Sequence, residues 1–184
     1  MRRLPRLLIV AALIVAGTAL PASPALPARA SATAIECIGS QISSFNPPLH
    51  DKPATATTVH SWANIRECTP AHPARRSAAL QLDGPGTLTC DLAQVVPASG
   101  EITWDGPGTG DTEVAQIVAE PLPVPPPGPR ALYLTGRISG GALDGYGLAV
   151  YFRVSPNDSL DCASIRGMGM TIGTARFTLT PPGE

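Results

Sequence analysis

The stretch Gly100-Glu-Ile-Thr-Trp-Asp-Gly106 and the loop that follows it, to Glu113, hold a dense set of side chains able to do chemistry. Trp104 offers a flat face for a sugar ring. Asp105, Asp111 and Glu113 stand among glycines, where hard oxygen ligands could approach a calcium ion. The spacing argues against a dedicated calcium loop. An EF-hand places ligands at its first, third and fifth positions, and here the third and fifth are Pro107 and Thr109. No metal centre and no cofactor are therefore expected. Within the stretch, Ile102 and Trp104 share one parity of a strand, and Glu101 and Thr103 the other. That alternation reads Trp104 as a core or sheet-face aromatic, with Asp105-Gly106-Pro107 ending the strand. Trp104, Asp105, Asp111 and Glu113 together form the candidate ligand loop, for a sugar or a peptide.

Other catalytic arrangements find less support. Acyl transfer needs a nucleophile, a histidine base and a carboxylate that orients it. The histidines are His50, His60 and His72; no Gly-x-Ser-x-Gly elbow is present, and nothing marks Asp51, beside His50, as oriented. His60 shares a strand face with Trp62 in the run ATTVHSW. The three histidines lack the close pairing that presets a zinc site. Glycoside hydrolysis needs two carboxylates across a cleft, and the sequence alone brings no two together. The expectation is a non-enzymatic interaction or cell-envelope protein. A ligand-binding module using residues 105–113 is the first alternative, and a secreted hydrolase the second.

The four cysteines, Cys37, Cys68, Cys90 and Cys162, are too widely spaced for a Cys-x-x-Cys metal site. An even number in an exported chain reads as two disulfides. Three connectivities are possible; Cys37–Cys68 with Cys90–Cys162 is preferred because neither loop interleaves with the other.

Export is read from the N-terminus. Arg2, Arg3 and Arg6 precede an apolar run from Leu7 to Leu20, followed by a Pro/Ala-rich segment with small-residue sites at Ala28-Arg-Ala30 and Ala30-Ser-Ala32. This is the layout of a signal peptide over residues 1–30, cleaved after Ala30 or Ala32. The apolar run falls short of the roughly 20 residues that span a bilayer. General secretion is preferred to twin-Arg export, and no integral membrane association is expected after cleavage. The remaining single domain, residues 31–184, keeps nine basic against 14 acidic residues and one lysine, Lys52. Such a surface lacks the cations that neutralise nucleic-acid phosphates.

Those residues must be held by strands. Pro and Gly interrupt almost every helical window, and short Val/Ile/Thr/Tyr-rich runs recur between turn residues. The runs 34–38, 56–62, 65–68, 78–82, 87–92, 101–104, 112–119, 131–138, 148–154 and 171–179 read as strands. Alternation is clear where Leu148, Val150, Phe152 and Val154 face one way and Tyr151 and Arg153 the other, and again where Phe177 and Leu179 oppose Arg176 and Thr178. The expected fold is all-β: an antiparallel two-sheet sandwich, or a flattened barrel, of about 8–10 strands. No helix is expected. Asn46–Pro53 reads as an extended loop. Glu120–Pro129 reads as a stiff polyproline connection, although it matches the P-x-x-P spacing that aromatic grooves recognise.

With these motifs placed, the chain resembles a family of small secreted actinobacterial proteins of unknown function. The resemblance rests on Cys37 with Gly39, Phe45-Asn-Pro-Pro-Leu49, Cys68, Leu88-Thr-Cys90, Gly100–Gly106, Gly136–Gly145 and Gly173–Leu179. It implies an exported, disulfide-bonded β domain and supplies no catalytic residues. The long polyproline insert departs from the family pattern.

Overall fold

The computed structural model describes residues 33–69, 77–105, 112–155 and 158–183. The expected signal peptide, His72 and Asp111 lie outside the described residues. Among the described residues, nine strands and one short helix follow in chain order: β1 (Ile35–Leu49), β2 (Thr55–Thr69), β3 (Ala78–Leu88), β4 (Gln94–Pro97), β5 (Ser99–Asp105), β6 (Thr112–Ala119), β7 (Ala131–Ser139), β8 (Gly147–Arg153), α1 (Asp158–Cys162) and β9 (Met168–Thr180).

Eight of the strands close into one barrel, in the order β7-β6-β5-β3-β2-β1-β9-β8 and back to β7. Each barrel pairing is antiparallel, and β1 meets β9 to seal it. Following the pairs from Leu132 through Phe152, Ala175, Gly39, Ile65, Ala78 and Trp104 leads to Glu113. Glu113 then meets Ala142 rather than Leu132, its carboxylate accepting the Ala142 N–H at 2.6 Å. That stagger is what closing a tilted sheet requires. The fold is thus all-β as expected, and closure decides between sandwich and flattened barrel in favour of the barrel.

Period-two patterning fills the interior. Val59, Ile65, Leu80, Leu82, Ile102, Trp104, Ile117, Leu132, Leu134, Leu148, Val150, Phe152, Phe177 and Leu179 are all buried and belong to one core. A small polar set shares it: buried Ser43 donates to Gln41 Oε1 at 2.6 Å and lies 3.0 Å from Ser61 Oγ. The Gln41 Nε2 and Trp104 Nε1 groups find no acceptor among the described residues.

The edge of β7 organises the whole connection between β3 and β7. Its C-terminal half, Gly136–Ser139, pairs with β6. Its N-terminal half, Leu132–Thr135, pairs instead with β4, in parallel. The chain leaves the sheet at Glu120 where β4 has taken its place, and the polyproline segment crosses outside. Gly136 sits at this handover. A Cβ there would lie 2.7 Å from the Ala98 carbonyl oxygen and 3.0 Å from that of Val118, with the Ile117 side chain closer still.

Several boundaries differ from expectation. Residues 56–62 and 65–68 are one strand, because Ala63 continues the inward parity between them. Asn46–Leu49 belongs to β1 rather than to a loop: Thr57 Oγ1 donates to the Pro47 carbonyl, and Leu49 pairs with Met168. Residues 89–92 leave the strand expected over 87–92, because Leu92 and Ala93 adopt φ of 55° and 39° and redirect the chain into β4. The single helical turn of α1 was also not expected. It carries Cys162 to its partner.

Both disulfides have the preferred pairing. Cys37 joins Cys68 at an S–S distance of 2.02 Å across the β1–β2 ladder, and Cys90 joins Cys162 over a separation of 72 residues. Two disulfides point to an oxidising compartment. Each is expected to contribute about 3–5 kcal/mol by restricting the unfolded chain. They differ locally: Cys37–Cys68 reinforces strands already paired, whereas Cys90–Cys162 ties the β3–β4 turn to α1. The C90S/C162S double variant should therefore speed amide exchange at residues 89–93 and 158–167 beyond the general loss of stability. C37S/C68S should lower stability without that local signature. Gly136→Ala should lower stability by about 1–3 kcal/mol, the usual penalty for overpacking, measured by denaturant unfolding.

Candidate functional site

The proposed ligand loop divides on inspection. Trp104 points into the barrel and is 1% exposed, so it is a core residue and presents no face to a ligand. Asp105 is exposed and accepts a hydrogen bond from Ser77 Oγ. Glu113 is half-buried and holds the turn after β7 through Ala142. Asp51 Oδ approaches the sulfurs of Cys90 and Cys162. Those sulfurs are spent in a disulfide, which has no thiolate to offer a metal.

A histidine–carboxylate pair does form, in a place the sequence did not mark. His60 Nδ1 lies 2.6 Å from Asp83 Oδ1, and the His60 ring stacks on Trp62 at 6.4 Å. Ser44 occupies the cross-strand position on the other side of His60, so Ser44, His60 and Asp83 form one row across β1, β2 and β3. Among the described residues Ser44 makes no hydrogen bond to His60. The row lies in the middle of a paired sheet, where backbone N–H groups serve the ladders. An oxyanion hole needs such donors free. Beside the row, Ile42, Trp62 and Ile172 stand in cross-strand register and are each 42–56% exposed.

The concave site lies elsewhere, where the polyproline strap crosses the barrel. Glu120 anchors its start. The Glu120 carbonyl accepts from Thr135 Oγ1 at 2.8 Å, and its carboxylate accepts from Arg137 Nε at 2.5 Å and Nη2 at 2.6 Å. Arg137 Nη1 also donates to the Gly145 carbonyl at 2.7 Å, so the guanidinium is fixed on both sides. Along the strap, Leu122 and Val124 are half-buried while Pro121, Pro123 and Pro125 are exposed. This alternation sets two apolar side chains against the sheet; Leu122 covers Gly147, where a Cβ would meet it at 3.0 Å. The far end is held where Arg130 N donates to the Asp91 carbonyl at 2.7 Å and Ala131 N to that of Gly128 at 3.2 Å.

Between the strap and the outer face of β7, β8, β9 and the start of β1 lies a groove of about 1010 Å³. Its floor is one cross-strand row: Tyr133 on β7, Tyr151 on β8, Arg176 on β9 and Ile38 on β1. The tyrosine rings pack at 4.9 Å with a 47° tilt. Burial, reinforced by Tyr151, raises the Tyr133 hydroxyl above the ordinary phenol range, while Arg176 opposes the shift. Tyr133 therefore stays a proton donor through neutral and mildly alkaline pH. Arg176 is exposed and forms no ion pair among the described residues. Thr178 and Thr180 add hydroxyls, and Glu36 and Glu67 line the end nearest Cys37–Cys68. The alternation had already placed Tyr151, Arg176 and Thr178 on the outward side of their strands. The register of the β7–β8 pair, which sets Tyr133 opposite Tyr151, brings Tyr133 to them.

These features define a disulfide-bonded, eight-stranded up-and-down barrel with a strapped groove on its outer wall. No protein-family model, curated protein or solved structure matches the chain.

The Arg137 guanidinium holds the Glu120 carboxyl below the usual glutamate range, chiefly by hydrogen bonding. A carboxyl so depressed contributes its anchoring at neutral pH and loses it as pH falls through its folded pKa, below the ordinary value of about 4.3. Nuclear Overhauser contacts between Leu122 and Gly147, which the strap brings together, should weaken in that acid window. In Glu120→Gln those contacts should already be weaker at pH 7 and show no such step.

Proposed function

We propose that this chain is an exported, non-enzymatic binding protein of the small secreted actinobacterial type its motifs resemble, and that the strapped groove is its ligand site. The observation that carries this reading is the floor row Tyr133–Tyr151–Arg176. Two aromatic faces and a cation without an ion-pair partner among the described residues stand together in a concavity that the fold spends ten residues, 120–129, to build. Pockets of this kind, apolar or aromatic with a few convergent polar groups, are where ligands bind. Secretion is supported by the signal-peptide layout and by the two disulfides. Among the described residues no helix is long and apolar enough to cross a membrane. The interior is filled by Leu, Ile, Phe and Trp side chains, so binding falls to the outer wall.

Screening the mature protein against glycan and peptide arrays should give a signal that Tyr133→Ala and Tyr151→Ala each weaken, since stacking on an aromatic side chain contributes about 0.5–1.5 kcal/mol. Asp105→Ala, Asp111→Ala and Glu113→Ala should leave it unchanged. The opposite pattern, with the loop variants losing the signal and the tyrosine variants keeping it, would move the site to residues 105–113. Turnover of ester, peptide or glycoside substrates by the purified protein would overturn the non-enzymatic reading.

A further inference from the structure

The chemistry of the groove walls narrows the ligand. The floor donates through side chains: the Tyr133 and Tyr151 hydroxyls, the Thr178 and Thr180 hydroxyls and the Arg176 guanidinium. The strap opposite is poor in donors, because Pro121, Pro123, Pro125 and Pro126 have no N–H and present only carbonyl oxygens. A polypeptide ligand commonly gains affinity by adding a strand to an open sheet edge. Here β8, which carries Tyr151, is paired on both sides, to β7 and to β9, and β9 is paired in turn to β1. A peptide main chain would find no ladder to join. A sugar chain suits the same walls better. Its ring faces stack on tyrosines, and its hydroxyls both donate to the strap carbonyls and accept from the floor.

Arg176 adds a charge requirement. It stands in the middle of the floor row, beside Tyr151 on one side and Ile38 on the other, with no carboxylate bonded to it among the described residues. The domain as a whole carries an excess of acidic residues, so a cation left without an ion-pair partner in the groove stands against that background. A planar guanidinium matches a carboxylate with two parallel hydrogen bonds. Glu36 and Glu67 at one end repel a second acidic group there, which directs the charged sugar to the tyrosine end. We infer that the groove binds an acidic glycan, with a uronate carboxylate on Arg176 and its sugar ring against the Tyr133–Tyr151 pair. This rests on the groove being the ligand site and specifies what enters it.

The test titrates the mature, disulfide-intact protein with a uronate oligosaccharide, a neutral hexose oligosaccharide of equal length and a poly-glutamate peptide. Wild type, Arg176→Gln, Arg176→Lys and Tyr151→Ala are compared, each checked for its β-sheet circular dichroism. The uronate should bind most tightly and weaken with salt. Arg176→Gln should cost it about ten- to a hundredfold, the range of a charged hydrogen bond, and Arg176→Lys should recover part of that. Neutral-sugar binding equal to that of the uronate, lost in Tyr151→Ala but indifferent to Arg176→Gln, would overturn the acidic-glycan assignment while leaving the groove as the site. Poly-glutamate binding that depends on Arg176 where the uronate fails would do the same in favour of an acidic peptide. Binding of any probe that neither variant affects would overturn both.

Discussion

The handover on the edge of β7 is the constraint on which the rest of this structure depends. An eight-stranded meander needs each strand to pair with its sequence neighbours, and β6 and β7 do so only over Gln116–Ala119 and Gly136–Ser139. Continuing β6 along the edge of β7 would have consumed residues 120–123 in the sheet. Their prolines, Pro121 and Pro123, cannot donate to a ladder. β4 supplies the missing partner from a different direction, pairing in parallel with Leu132–Thr135. The barrel wall stays continuous and the polyproline run is displaced outward. Gly136 permits the arrangement, because Ala98, Ile117 and Val118 converge on the space its side chain would need.

Displacement of the strap would be of little use if it floated. The inside of the barrel and the outside groove are both organised by the same strands, with opposite parities. Leu132 and Leu134 fill the core while Tyr133 and Thr135 face the strap; Val150 and Phe152 fill the core while Tyr151 faces it. A slip of one residue between β7 and β8 would exchange these sets, burying tyrosine hydroxyls and exposing leucines. The core therefore fixes the register that places the two tyrosines side by side. The Glu120–Arg137 pair adds a tether in the same register, since Thr135 and Arg137 stand two residues apart and both reach Glu120.

Much of this was legible one strand at a time. The alternation Leu148-Ala-Val-Tyr-Phe-Arg-Val154 correctly separated inner from outer residues, and Ile102 with Trp104 were correctly put on one face. The cysteine pairing that forms is the one preferred among the three the sequence left open. Closure was not legible, because it depends on β1 meeting β9 across most of the chain, and period-two patterning is the same in a sandwich and a barrel. The candidate groove was missed for a different reason, because strand register is not visible in any one strand. Tyr133, Tyr151 and Arg176 are separated by 18 and 25 residues in sequence and become one row only through two successive hairpin registers. Asp83, which holds His60, was missed likewise, since β2 and β3 had to be paired before the carboxylate could be seen opposite the imidazole. The loop after Trp104 drew attention because its carboxylates are close in sequence, and sequence proximity is the one kind of neighbourhood a single chain displays.

The strands of the groove floor are paired on both sides and the interior is filled by side chains, so what this face offers a ligand is outward side chains on a convex wall. Convexity is the difficulty: isolated side chains on such a wall remain solvated and gain little by contact with a ligand. A stiff strap changes this by adding a second wall without adding a second sheet. Polyproline is suited to the task because it is extended without internal hydrogen bonds and loses little entropy when fixed at its two ends. Anchored at Glu120 and at Gly128–Arg130, it shields one side of the tyrosine pair and leaves the other open along the row to Arg176. The concavity is therefore produced by the irregular part of the chain, while the regular part supplies its chemistry. Substitutions on the outer parity of β7–β9 should accordingly change the chemistry of the groove floor, and those in its anchors should abolish the groove.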